Sequence, residues 1–204
     1  MELYDSEEQQ VEAIKEWWKE NGKAVILGAV VGLGGIFGWR FYQDSVIADK
    51  EAASHSYTQV TTTLQAQGAD AAAQVQGFID ANSKSEYSVL AALQLAKAQV
   101  EAGDLDAALA QLEWAKANTQ DPAILPLASY RVARVQAELE QYTAAITELS
   151  GIQDEAWKGR VAELRGDIEL RSGNTEAAYT AYVEAQQASD ASQMLQMKLD
   201  DLAK

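Results

Sequence analysis

The sequence predicts an all-α protein: a single N-terminal transmembrane helix, then an α-solenoid of antiparallel helix pairs closed by a C-terminal capping helix. Three observations carry this. The 204-residue chain abounds in Ala, Leu, Glu, Gln and Lys and has only two prolines, which favours helix and gives little support to sheet. The stretch "KAVILGAVVGLGGIFGWR", Lys23 to Arg40, includes 16 consecutive uncharged residues, Ala24 to Trp39. Farther on, three segments align with one another at intervals of 37 and 33 residues.

Residues 1–22 come first. Val11, Ile14 and Trp18 stand at helical spacing, with Asp5 or Ser6 placed to cap and Glu8 in the first turn, so a short amphipathic helix ending near Asn21-Gly22 is expected. Its seven acidic residues (Glu2, Asp5, Glu7, Glu8, Glu12, Glu16, Glu20) argue against adsorption to anionic lipid. A solvated lead-in or a protein contact fits better.

Residues 23–42 form the expected span. A helix over Ala24–Trp39 rises roughly 24 Å, somewhat less than the hydrocarbon slab of about 30 Å. The flanks make up the difference: Lys23 and Arg40 can snorkel outward, and Phe41 and Tyr42 prolong the apolar run. Trp17 and Trp18 before it, with Trp39 and Tyr42 at its end, are placed like interfacial aromatic belts. A core helix apolar all round would need a large protein about it, and the rest of this chain is too polar and too small. A cleaved export signal would follow a short basic segment, whereas this stretch follows 22 largely acidic residues. Lys15, Lys19 and Lys23 on one side outnumber Arg40 and Lys50 on the other, which favours a cytosolic N-terminus. Gly28 with Gly32, and Gly34 with Gly38, form small-xxx-small pairs that would admit a second helix in the bilayer.

Residues 43–204 hold 12 of the 16 basic and 24 of the 31 acidic residues, a net charge of −12, and are enough to bury a core of their own. The aligned segments start at Val89, Pro126 and Gly159. Small residues fall in register: Ala96, Ala133 and Gly166 in the first helix of each unit, Ala108, Ala145 and Ala178 in the second. Helices approach closely only where side chains are this small. Leu112, Leu149 and Tyr182 follow four residues later to fill the space to the next unit. Gly103-Asp104 and Gly173-Asn174 mark the turns, with Glu140-Gln141 in the middle unit. These features resemble the tetratricopeptide repeat over residues 89–188, although the mid-helix aromatic usual there is Gln99, Gln136 and Glu169 and the closing Pro is missing. Upstream, "QGADAAAQVQGFI" echoes "AGDLDAALAQLEW" at an offset of 35, with Gly68 under Gly103 and Ala73 under Ala108, so residues 44–80 are expected to form a degenerate first pair. Residues 190–203 read as the closing helix, with Met194, Leu195, Met197, Leu199 and Leu202 as its core side.

Nothing catalytic is expected. The chain has no Cys and one His, His55, and contains no P-loop, nucleophile elbow, zincin motif or dinucleotide fingerprint within a βαβ unit. No cofactor, metal or small-molecule substrate follows. The overall charge of −15 repels phosphate backbones, so no nucleic acid partner is expected. By tetratricopeptide geometry the first helices would line a concave face, presenting Lys97 and Glu101, then Tyr130, Arg134 and Glu138, then Arg160, Glu163, Asp167 and Arg171. Mixed charge with one aromatic suits an extended polypeptide.

One span near residue 30 before an acidic repeat domain, "EEQQVEAIKEWWKENGK" ahead of that span, "ELRGDI" at Glu163–Ile168 and "QMLQMKLDDLA" at the end together resemble the YfgM family. Its members are bitopic inner-membrane proteins of Gram-negative bacteria, ancillary to the SecYEG translocon. The resemblance implies a cytosolic N-terminus, a periplasmic repeat domain, and the SecYEG channel and the membrane-anchored periplasmic chaperone PpiD as partners. The implied role is to help pass emerging, unfolded exported polypeptides to periplasmic chaperones. It also implies an alternative: regulation of a cytosolic stress-response protein through residues 1–22.

Overall fold

The computed structural model describes residues 7–202, among which no strand occurs. The expected caps Asp5 and Ser6 lie outside them. Among the described residues nine α-helices follow one another: α1 (Glu7–Gln67), α2 (Ala72–Ala81), α3 (Glu86–Glu101), α4 (Leu105–Asn118), α5 (Ile124–Glu138), α6 (Tyr142–Ser150), α7 (Lys158–Arg171), α8 (Thr175–Gln186) and α9 (Leu195–Leu202). The chain divides into two compact units, Met1–Ala52 and Ala53–Lys204.

In the first unit the helix does not end near Asn21-Gly22. Asn21 donates its side-chain amide back to the Trp17 carbonyl at 3.0 Å, and the Trp18 indole packs on Gly22, where a Cβ would come within 3.2 Å of the ring. Both residues are thereby absorbed into the helix, and the apolar run enters with its backbone bonds closed. The most apolar 18-residue window of the helix has mean hydropathy 1.7 and no buried residue. From Val25 to Tyr42 every large apolar side chain is exposed.

In the second unit, successive helices pair and their cores form a series. Val60 and Leu64 of α1, Val75, Phe78 and Ile79 of α2, and the buried faces of α3, α4 and α5 make the first cluster. Tyr57 joins it, its ring 6.3 Å from that of Phe78 and 5.5 Å from that of Tyr87. A second cluster joins α5, α6 and α7, and a third joins α7, α8 and α9. Ala96, Ala133 and Gly166, Ala108, Ala145 and Ala178, and Leu112, Leu149 and Tyr182 are all buried, which is the in-register burial a repeat requires. At Gly166 an added Cβ would lie 2.4 Å from the Tyr182 ring, so only glycine fits there.

The three turns are built alike. Asp104, Gln141 and Asn174 donate their backbone N–H to the carbonyls of Gln99, Gln136 and Glu169 at 2.9, 2.8 and 2.8 Å, closing each first helix in a Schellman manner. The residue before each donor takes positive φ: Gly103 at 81°, Gly173 at 90°, and Glu140 at 59°. The middle unit therefore makes the same turn without the residue that makes it cheap.

Two expectations are corrected here. The first pair does align its turn glycine at an offset of 35, since Gly68 has φ 60°. From the glycine onward its buried residues are Ala71, Val75, Phe78 and Ile79, however, while Ala73 is exposed. A 3₁₀ turn, Gly68–Ala71, lies between the glycine and α2 and displaces the helical register from that offset. In α9 the buried residues are Leu195 and Leu199, whereas Met194 and Met197 are 58% and 55% exposed. An eight-residue helix presents one narrow stripe, and these leucines fill it.

Replacing Glu140 by Gly is expected to stabilise the protein by roughly 1 kcal/mol, since it removes the left-handed cost at a turn already made. Gly166→Ala is expected to destabilise it by roughly 1–3 kcal/mol through overpacking against Tyr182. Chemical denaturation of the full-length protein in detergent, followed by circular dichroism, measures both; an unchanged midpoint for either contradicts the turn or the packing assigned to it.

Candidate functional site

The first helices of the pairs, α3, α5 and α7, bring most of the expected groove residues together in two clefts. One, of about 350 Å³, lies between α3 and α5 and is lined by Lys97, Glu101, Arg131, Arg134 and Glu138 over Leu93, Val100, Leu112 and Val135. The other, of about 360 Å³, lies between α5 and α7 and is lined by Arg134, Glu138, Asp167 and Arg171 over Leu164, Ile168 and Tyr182. Arg134 and Glu138 belong to both, so the clefts adjoin along α5.

Charges within the clefts are largely matched. Arg171 grips Glu138 with both guanidinium nitrogens at 2.8 Å. The hydrogen bond from Arg171 is the chief reason the Glu138 carboxyl sits below its usual pKa, and the same bond raises Arg171. Lys97 and Glu101 form an exposed i,i+4 pair at 3.6 Å. Tyr130 stacks obliquely on Trp157, ring centres 5.5 Å apart, and burial raises its hydroxyl pKa, with Arg134 opposing.

The residues toward the C-terminus are engaged from within the chain. Arg160 lies over the Trp157 ring at 5.2 Å and 3.9 Å from Asp190. The Asp190 carboxylate accepts from the backbone N–H of Gly159 at 2.7 Å and of Arg160 at 3.2 Å, so the loop before α9 caps α7. An added Cβ on Gly159 would lie 2.3 Å from that carboxylate, so a larger residue would displace the Asp190 cap. Glu163 and Asp167, expected as open positions, face Lys198 of α9. Its ammonium lies 2.9 Å from Glu163 and 2.6 Å from Asp167. Asp167 also accepts the Tyr182 hydroxyl at 2.7 Å, and Ser192 donates to Glu163 at 3.1 Å. Burial pushes the Lys198 pKa down, yet the bonds to Asp167 and Glu163 outweigh it and hold the amine above its ordinary value. Burial and the Asp167 hydrogen bond both raise Tyr182.

Lys198, Arg131, Trp157 and Asp190 had no place among the expected site residues. A signal existed for two of them. Lys198 follows Asp167 by 31 residues, close to one repeat step, and Arg131 stands one turn before Arg134 on the same face. Trp157 closes a short 3₁₀ turn, Glu155–Trp157, and Asp190 comes from a loop, and neither carries the repeat's periodicity.

Two further features complete the inventory. In the apolar helix nothing lies within 4 Å of a Cβ built on Gly28, Gly32, Gly34, Gly35 or Gly38. At about 100° per residue, Gly28, Gly32 and Gly35 share a face roughly 60° wide, and Gly34 and Gly38 lie on another. Among the described residues no group of three His, Asp or Glu is placed to hold a metal, and His55 is exposed on α1.

The tetratricopeptide repeat-like domain family matches residues 15–204. A protein of Escherichia coli (strain K12) named ancillary SecYEG translocon subunit is 36% identical over 207 residues, covering 100% of both chains. One of the same name from Haemophilus influenzae is 36% identical over 198 residues, covering 96% of this chain and 97% of its own. The crystal structure of MamA superposes with a TM-score of 0.55 at 16% identity over 78% of this chain and 87% of its own, a likeness of fold.

The Lys198 bridges yield a pH-dependent prediction. Lys198→Gln is expected to cost roughly 1–2 kcal/mol, because Glu163 and Asp167 lose their common cation in a partly screened site. A group whose pKa is raised on folding contributes stability that is fully present below its unfolded value of 10.5 and is lost as pH rises through the folded value. The gap between wild type and variant should therefore hold from neutrality to that pH and close above it. Denaturation midpoints against pH check this; a gap already closed at neutral pH contradicts it.

Proposed function

Because the chain belongs to the tetratricopeptide repeat-like domain family and to the family of ancillary SecYEG translocon subunits, we propose that it is a membrane-anchored, non-enzymatic adaptor at that channel. Residues 23–42 would be its permanent span, residues 1–22 its cytosolic lead-in, and residues 43–204 its periplasmic repeat domain in the inner membrane. In this reading the groove holds unfolded exported polypeptides through Lys97, Glu101, Tyr130, Arg134, Glu138, Arg160, Glu163, Asp167 and Arg171. From there they would pass to periplasmic chaperones, PpiD among them. The glycine faces of Gly28, Gly32, Gly34 and Gly38 would serve a helix partner in lipid.

The observation that carries this reading is the conjunction of a helix unburied over its whole apolar run with a repeat unit whose first helices line adjoining clefts. Apolar side chains left bare on every face cost free energy in water and none in hydrocarbon, which supports a lipid setting. Anchoring would keep the repeat unit within a thin layer at the membrane, raising its effective concentration toward a channel there, so that weak contacts suffice. A second reading, regulation of a cytosolic stress-response protein, draws on Val11, Ile14 and Trp18, exposed on the helix ahead of the apolar run.

Photo-crosslinkers placed in cells at Val31 and at Tyr130 test the adaptor. The first is expected to capture SecYEG components, and the second translocating chains or a periplasmic chaperone. Recovery of the protein in the aqueous fraction, trimmed after residue 42, contradicts the anchor. Deleting residues 2–20 separates the two readings: SecYEG capture should persist under the first, and loss of stress signalling alone would favour the second.

A further inference from the structure

The chain carries 31 acidic residues to 16 basic ones, so an unpaired basic group in its repeat unit is unusual. Arg160, Arg165 and Arg171 each have a carboxylate partner there, Asp190, Glu184 and Glu138 respectively. Arg131 and Arg134 have none: among the described residues no carboxylate oxygen lies within 4 Å of either guanidinium, and neither donates a hydrogen bond. Glu138, one turn beyond Arg134, gives both oxygens to Arg171 instead.

Both arginines line the cleft between α3 and α5. Arg131 is half-buried, and its burial together with the positive charge of Arg134 lowers its pKa, so the two cations oppose each other in the free protein. Such an arrangement stores a favourable site for an anion. Lys97, already paired with Glu101, faces them across the cleft, while the floor of Leu93, Val100, Leu112 and Val135 is aliphatic. At the other end, one helical turn away, stand Glu101 and Glu138. These acids disfavour a dense polyanion and leave room for one isolated carboxylate beside apolar groups.

We propose that the α3–α5 cleft is a binding slot for a polypeptide segment carrying an acidic side chain next to aliphatic ones, with Arg131 and Arg134 as its anchors. The proposal rests on the groove reading above and names the chemistry of its ligand. Because the cleft continues into its neighbour along α5, the segment runs through it, and the carboxylate comes from a side chain within the chain.

The test uses the full-length protein in detergent micelles and two fluorescein-labelled, C-terminally amidated short peptides, alike but for a central Leu-Asp-Ile in one and Leu-Asn-Ile in the other. Fluorescence anisotropy is expected to show the Asp peptide binding about tenfold tighter than the Asn peptide. The Arg131→Gln/Arg134→Gln variant, with helix content matching wild type by circular dichroism, should lose that preference and bind the two peptides equally. Independently of any variant, raising salt should shrink the preference in the wild type. Equal binding of the two peptides overturns the acid preference and leaves the groove reading intact. Binding of neither peptide overturns both, and a preference that survives the double substitution or is indifferent to salt overturns the assignment to these arginines.

Discussion

The close approach of paired helices governs the second unit. Its helices are short and alanine is the commonest residue of its core, so backbones come near one another at matched positions. Gly166 shows how tight the condition is, with the Tyr182 ring occupying the space any side chain would need. Once those contacts hold, each first helix must end and reverse at a set distance, and the three positive-φ turns do this with the same backbone bonds. The row of first helices, and hence the adjoining clefts, follows from that repetition.

Electrostatics then differentiates a face that packing alone would leave uniform. Toward the C-terminus, α9 stands as one more rung: Lys198 takes up Glu163 and Asp167, and the loop before it caps α7 through Asp190. In the middle, Glu138 and Arg171 satisfy each other. Facing α3, whose Lys97 and Glu101 pair with each other, two guanidiniums of α5 stand without a carboxylate partner beside an aliphatic floor. The face is thus closed at one end by its own chain and carries two arginines without a carboxylate partner at the other, so its charge is uneven along its length.

The first unit obeys a different constraint. Its large apolar side chains from Val25 to Tyr42 are exposed, so the hydrophobic effect that condenses the repeat unit leaves them unsatisfied. A helix is the state in which such a stretch closes every backbone hydrogen bond within itself. That requirement also explains why Asn21 and Gly22, ordinarily ending signals, are carried through: the side-chain bond to Trp17 and the indole over Gly22 remove the polar and conformational reasons to stop.

How far the sequence reached depends on the range of the forces involved. Helical composition, the apolar run and the recurrence of Ala, Gly and large apolar residues are local or periodic properties, so they were sufficient for the all-α class, the span-length helix, the repeat pairs and the closing helix. Periodicity failed where an irregular element intervened: the 3₁₀ turn at Gly68–Ala71 shifted the buried set to Ala71, Val75, Phe78 and Ile79, and a helix as short as α9 buries Leu195 and Leu199 while Met197 and the preceding Met194 stay exposed. Listing the charged residues on one face likewise said nothing of their pairing. Whether Glu163 meets Lys198, or Arg131 meets no acid at all, depends on side chains some thirty residues apart in sequence converging to within 4 Å, and only the packed tertiary structure decides that.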